Sequence, residues 1–350
     1  MTDLRASADI DRSALDLDAM RLTEWTSCGG CAAKWGASLL SSLVSDFPAS
    51  SDPSLLVGLA PFDDAAVYRI SDDLAMVSTT DFFPPLVDHP SDFGAIAAAN
   101  ACSDVFAMGG RVTIAVNIAA FPEHFPRAAI VAIFDAAAAV VADAGGSVAG
   151  GHTIRNPEPI FGLAVQGLVH PDHIFRKEGA KVGDVLMISK PLGTAIALAG
   201  GSASDKAEAI AGMRRLNRSA SEVLQAHLAA VHAVTDVTGY GLFGHAWDMA
   251  ERADAVFAFD SLALPRYSGV ADALARGVRT GGDPRNREHV EHHVRIESGL
   301  GDDSAAIGYD PQTSGGLLAA VDPTIAADLA AAGFTAIGSV VTGAPAIVLQ

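Results

Sequence analysis

The chain has 350 residues, half of them apolar, a mean hydropathy of +0.30 and a formal charge of −18 at pH 7. Two domains with real cores are expected at this length. The acidic balance excludes a nucleic-acid groove or an anionic membrane surface as partner, because both select clustered Lys and Arg. A polyphosphate ligand would need cations between it and such a protein, and divalent metal held by carboxylates is the expected device. Cys28, Cys31 and Cys102 make no disulfide framework and fit a reducing cytoplasm. Met1 to Asp18 lacks the basic start and apolar run of a signal peptide. The longest apolar region, Ala128 to Val141, is broken by Asp135 and is too short to span a bilayer. A soluble, cytoplasmic protein is expected.

Residues 1–25 read as a polar extension. A glycine-rich arm follows at 26–45, with Cys28-Gly29-Gly30-Cys31-Ala32-Ala33-Lys34 at its start. Glycines deny this run a stable helix or strand. The Lys34 charge, three residues from Cys31, favours the reactive thiolate. Ala65–Ile70 and Leu74–Thr80 read as strands joined by a Ser71-Asp72-Asp73 hairpin turn. Asp92–Met108 has helical spacing and stops at Gly109-Gly110. Val112–Ile118 reads as a strand, Arg127–Ala144 as a helix closed by another glycine pair, and Ile160–Val169 as a strand. This alternation predicts a mixed α/β domain over 50–170. Arg176–Gly183 reads as a linker to a second domain, 182–350. Val185–Ser189 opens that domain as a strand, and Ala-rich helices continue to about Ala233. A helix over Leu242–Arg252 and a closing strand over Ala336–Val341 are also expected.

The chemistry-bearing residues sit at element ends. Asp63-Asp64 precede a strand, and Asp81 ends one, in Ser78-Thr79-Thr80-Asp81-Phe82-Phe83. Taken alone, each also reads as a solvated turn or a cap. Asn100 and Asp104 lie four apart on one helix face with Phe93, Ile96 and Ala97, so two polar groups interrupt an inward stripe. Cys102 points elsewhere and reads as inert core. Gly150-Gly151-His152 is a glycine loop whose backbone N–H groups can approach phosphate, or a plain turn. Asp236 stands beside the glycine-rich turn Gly239-Tyr240-Gly241, and Asp310-Pro311-Gln312-Thr313-Ser314-Gly315-Gly316 reads as a structural turn. No Walker A loop and no His/Cys cluster with zinc spacing is present. The residues describe a magnesium-dependent nucleotide enzyme with a mobile thiol arm.

Taken in order, these motifs resemble the selenophosphate synthetase (selenide, water dikinase) family. The likeness runs from about Leu22 to the C-terminus, through Thr79-Thr80-Asp81-Phe82-Phe83, Gly150-Gly151-His152, Pro157-Glu158-Pro159-Ile160-Phe161-Gly162-Leu163 and Thr235-Asp236-Val237-Thr238-Gly239. The Asp310 loop is shared with the wider aminoimidazole-ribotide synthetase-like superfamily. The resemblance implies a two-domain α/β (α+β) fold of that superfamily. Its N-terminal domains would pair into a dimeric β-barrel, followed by an α+β C-terminal domain. It implies synthesis of selenophosphate from selenide, ATP and water, with AMP and orthophosphate released. Cys31 and Lys34 match the essential Cys-x-x-Lys pair. Asp64, Asp104 and Asp236 match the magnesium ligands, and Asp81 and Asp104 belong to the joint ATP and metal site. Asp63 matches a nucleotide contact, and Gly150, Gly151 and His152 match a loop that reaches ATP across the dimer interface. The implied partners are ATP, Mg2+, selenide and a second copy of the chain, with room for a selenide-delivery protein. One departure stands out: many members carry a cysteine immediately before the lysine, where this chain has Ala33. The rival readings are a thiamine-phosphate kinase-like or aminoimidazole-ribotide synthetase-like enzyme, a Cys28-Cys31 redox or metal protein, and a silent ATP-binding partner.

Overall fold

The computed structural model describes residues 16–27, 29, 50–59 and 62–350. The first sheet is built from β1 (Leu55–Val57), β2 (Ala66–Arg69), β3 (Ala75–Phe83), β4 (Arg111–Phe121), β5 (Ser147–Arg155) and β6 (Ile160–Val169). Their spatial order is β1-β2-β3-β6-β4-β5. β4 and β5 run parallel, and the other neighbours antiparallel. The β2–β3 hairpin forms as expected, with Ser71 Oγ donating to Asp73 Oδ1 across its turn at 2.6 Å.

Strand periodicity sets up the site. Along β3, Ala75, Val77 and Phe83 are buried on one face, and Thr79 and Asp81 continue that same row. Phe82, on the other face, is 51 % exposed. β3 extends past Thr80 to Phe83, paired with β6 to the Phe83–Phe161 position, before Pro84-Pro85 ends it. Asp81 therefore lies inside the strand rather than at its end.

The helix Pro90–Ala107 packs on the inner face of this sheet. It starts on Pro90 with His89 Nδ1 accepting from the Ser91 N–H, and stops at Gly109, whose φ is +74°. It is buried on nearly all sides, because the helix Arg127–Asp143 and the second sheet also pack against it. At Gly94 an added Cβ would lie 2.2 Å from the Ile133 backbone oxygen, so the close helix crossing requires glycine there.

The second sheet has the order β10-β13-β9-β12-β7-β11-β8. Its strands are β7 (Val185–Ile188), β8 (Val231–Asp236), β9 (Val256–Phe259), β10 (Val294–Ile296), β11 (Leu317–Val321), β12 (Thr335–Val341) and β13 (Ala346–Leu349). One face is covered by Leu242, Phe243 and their helix, Gly241–Ala253. The other face, through Met187, Val234 and Leu317, meets Ala107 and Phe175 from the first half. Two expectations need correction here. Val231–Ala233, read as a helix tail, begin β8, and β9, β11 and β13 were not separated from their surroundings. These are short, mostly apolar runs buried on both faces, so they lack the alternation that marks a half-exposed strand. Among the described residues no helix is long and apolar enough to cross a membrane.

Candidate active site

Four acids come together where the segment before β2 (Asp64), β3 (Asp81), the Pro90–Ala107 helix (Asp104) and the end of β8 (Asp236) approach one another. Two residues along a strand rise about 6.7 Å and four along a helix about 6 Å, so paired positions stay in step. Asn100 Nδ2 donates to Asp81 Oδ2 at 2.6 Å, and one helical turn on, Thr79 Oγ1 donates to Asp104 Oδ2. From β8, Thr235 Oγ1 donates to Asp64 Oδ1 at 2.9 Å, and Asp236 is 2 % exposed at the strand's end. Burial pushes the Asp104 carboxyl well above its usual range, and the nearby charges of Asp236, Asp81 and Asp64 push it further. The Thr79 hydroxyl opposes this only in part.

Asp63 and Asp64 are both 4 % exposed at the side chain, so the reading of this pair as a solvated turn does not hold. Asp63 accepts from the backbone N–H of Asp64 at 3.0 Å and of Lys177 at 3.1 Å, and stands 3.9 Å from Arg252. Burial and the neighbouring Asp64 raise its carboxyl to about 6. Lys177, which fell within the expected linker, is buried with its ammonium 2.8 Å from Asp64 Oδ1.

The acids suit a hard divalent cation. Asp64 Oδ2 is buried with no hydrogen-bond partner, and the mutual repulsion felt at Asp104 calls for positive charge. Among the described residues no three acid, His or Cys side chains already close around one point as a metal cage.

The other expected residues fall elsewhere. Gly150, Gly151 and His152 lie in β5, at the edge of the sheet, and not in a loop. Asn117 and Ile118 of β4 pair with Gly151 and His152, just after a bulge at which Gly150 and Gly151 have φ of +151° and +159°. Asp81, Leu163, Asn117 and Gly151 occupy one row across β3, β6, β4 and β5. At about 4.8 Å per strand, Gly151 is about 14 Å from Asp81 within one chain. Cys28, Cys31 and Lys34 lie outside the described residues. The Asp310 loop is structural, as expected. Asp310 Oδ2 accepts from the Ala195 and Ile196 N–H groups at 3.2 and 3.4 Å, and Gln312 Oε1 from those of Gly193 and Thr194 at 3.0 and 3.1 Å. Burial raises the Asp310 carboxyl to about 7 despite these bonds. Cys102 is inert core, its thiol pushed up to about 12 by burial and by Asp104. Thr79, Thr235, Lys177 and Asp248 were not assigned from sequence. The hydroxyl-rich run around Asp81 is a signal for Thr79, and the Thr235-Asp236-Val237-Thr238-Gly239 motif one for Thr235.

One cavity, of about 560 Å³, is away from the acids, between Gly109-Gly110, His170, His173 and Arg218. A second, of about 410 Å³, is lined by Thr26, Ser27 and Gly29 together with Thr194, Thr280 and Thr313. It adjoins the start of the arm.

The two-sheet architecture is an AIR synthase-like fold with known counterparts. Residues 62–169 match the family AIR synthase related protein, N-terminal domain. Thiamine-monophosphate kinase from Stenotrophomonas maltophilia K279a superposes with a TM-score of 0.63 at 21 % identity, covering 91 % of this chain and 96 % of that one. Hydrogenase maturation protein HypE in complex with ATP gives a TM-score of 0.60 at 19 % identity, covering 91 % and 92 %. Selenide, water dikinase from Myxococcus xanthus is 44 % identical over 338 residues, spanning 93 % of this chain and 96 % of the relative. This chain belongs to the selenide, water dikinase family.

Proposed function

We propose that this protein makes selenophosphate from selenide, ATP and water, releasing AMP and orthophosphate. The observation that carries the reading is that the charges of Asp236, Asp81 and Asp64 all act on Asp104, in a chain of this family. These carboxylates would hold magnesium together with the triphosphate. Bound there, magnesium would neutralise phosphate charge and stabilise the charge that moves in phosphoryl transfer.

The chain's own groups do the rest. Asn100 and Thr79 orient Asp81 and Asp104 by hydrogen bonds. Lys34 contacts phosphate oxygens, and Cys31 holds, delivers or positions selenium. The arm over 26–45 excludes bulk water during transfer. Hydrolysis of the remaining ADP then gives AMP and phosphate.

The open face of the first sheet supports a homodimer as the working unit. Tyr68, Phe82, Ile114 and Ile154 are 40, 51, 39 and 54 % exposed there, beside the edge strand β5. A second copy on this face would cover them. It would also bring Gly150, Gly151 and His152 to the partner's ATP, which they do not reach within one chain. The division into 50–170 and 182–350, and a cytoplasmic location, complete the reading.

Phosphorus NMR of the protein with ATP, magnesium and selenide under anaerobic reduction tests it. Selenophosphate with AMP and orthophosphate is the expected outcome. ADP as final product, or turnover unchanged without selenide, would overturn it.

A further inference from the structure

Lys177 presents a problem that the reaction above leaves unsolved. Its ammonium is buried and in contact with Asp64, one of the acids needed for metal. Burying a lysine costs several kcal/mol unless charge and hydrogen bonding compensate. Here Asp64 Oδ1 at 2.8 Å is the close partner, and Asp248 Oδ2 stands on the other side at 3.8 Å. The Phe62 ring lies 5.5 Å away as an apolar wall, with Arg252 stacked over it at 4.8 Å. Burial works against the charge, but Asp64, Asp248 and Asp63 together outweigh it and hold the lysine protonated.

This ammonium partly does a cation's work. It offsets one negative charge in a cluster where Asp104 feels three others. A divalent ion on the same carboxylates would repel it. The way out is short: Asp248 Oδ2 is 3.8 Å away and a close ion pair needs 2.8 Å, so a shift of about 1 Å completes the new contact. A four-carbon lysine stem makes such a move without backbone change. Asp248 is held in the helix Gly241–Ala253, one turn before Arg252, and so is a fixed receiver.

We propose that Lys177 is a displaceable internal counter-ion: it occupies Asp64 in the empty protein and transfers to Asp248 when metal and nucleotide arrive. The inference rests on the assignment of Asp64 to the metal site. Metal affinity is then set by competition with a built-in ammonium, and the acid cluster stays folded without metal.

The test is Mn2+ binding, read by electron paramagnetic resonance, in the presence of a non-hydrolysable ATP analogue. Wild type, Lys177→Met, Asp248→Asn and the double variant are compared. Lys177→Met should bind Mn2+ on the order of 10-fold tighter and melt lower without metal, with the melting difference closing on metal addition. Asp248→Asn should bind Mn2+ more weakly than wild type, and the double variant should return to the Lys177→Met value. Equal Mn2+ affinity in wild type and Asp248→Asn would overturn the transfer, even if Lys177→Met fails to fold. Loss of nucleotide binding in Lys177→Met with unchanged Mn2+ dependence would make Lys177 a phosphate ligand and overturn it too. Failure of wild type to bind Mn2+ at all would instead remove the metal-site assignment, and the inference with it.

Discussion

Asn100 Oδ1 accepts the backbone N–H of Ser314 at 2.8 Å, across 214 residues of sequence. Its other end, Nδ2, donates to Asp81 Oδ2 at 2.6 Å. One amide thus connects a loop of the second half to an acid of the first. Ser314 is itself held, with φ at +50° and its carbonyl accepting from Lys190 Nζ at 2.8 Å. Donor and acceptor are fixed at opposite ends, so the amide has one usable orientation.

Asn100→Asp would place a carboxylate oxygen against Asp81 at hydrogen-bond distance. The repulsion and the lost donor should cost about 3 kcal/mol of stability at pH 7.5. Urea unfolding of the two proteins reads this directly. A loss below about 0.5 kcal/mol would mean that the amide is not the junction described.

The Asp310 carboxyl supplies a pH signature for the second half. Unfolded, it titrates near 3.8, and folded at about 7, because burial outweighs the hydrogen bonds it accepts. Between those values the folded protein keeps a proton that the unfolded chain has released. Stability from this group is therefore full below the unfolded value, falls as pH rises through that window, and is flat above it. Asp310→Asn removes this slope. The variant should gain on wild type between pH 5 and pH 7.5, by on the order of 2 kcal/mol at the upper end. Parallel melting curves across that range would contradict the assignment.

Much of this site is legible before folding. Glycine stops bound the Pro90–Ala107 and Arg127–Asp143 helices, and helical spacing alone places Asn100 and Asp104 on one inward face. Asp64, Asp81 and Asp236 stand out as acids beside small or hydroxyl residues. Lys177 does not, because its partner Asp64 is brought to it by tertiary structure, just as its own N–H meets Asp63 across 114 residues. Nothing local distinguishes that lysine from a linker charge. Gly150 and Gly151 mislead for the opposite reason: two glycines suggest a turn, yet they form a bulge inside β5, whose strand resumes where Gly151 pairs with Asn117.

Glu158 ties the start of the arm to the sheet. Its two oxygens accept from Thr26 Oγ1 at 2.8 Å and Ser27 Oγ at 3.0 Å, and these bonds hold its carboxyl below the usual range. The contact is solvent-exposed, so Glu158→Ala should leave the melting temperature nearly unchanged. It should lower selenophosphate output several-fold, because the residues just before Cys28 lose their anchor. Steady-state assays beside thermal melts separate the two effects, and unchanged turnover would show that the tie does not position the arm.

Cys31→Ser should bind ATP with wild-type affinity and make little selenophosphate. Nucleotide titration together with product analysis checks both halves. Normal selenophosphate output would remove Cys31 from the reaction.

Asp104 places function and stability in opposition. Burial and then the charges of Asp236, Asp81 and Asp64 disfavour its ionised form, and without metal only the Thr79 hydroxyl offsets them. Asp104→Asn keeps an oxygen to accept from Thr79 and removes one of the mutually repelling charges. The metal-free variant should melt several degrees above wild type at pH 8. With Asp104 as a metal ligand, as proposed, the same substitution should lower magnesium-dependent ATP turnover at least about 100-fold. Melting curves with and without magnesium and nucleotide bring the two together: wild type should gain stability on their addition, and the variant little or none. A variant that melts lower than wild type without metal would show that Asp104 is a structural hydrogen-bond acceptor first, and that the acids are not strained toward a cation.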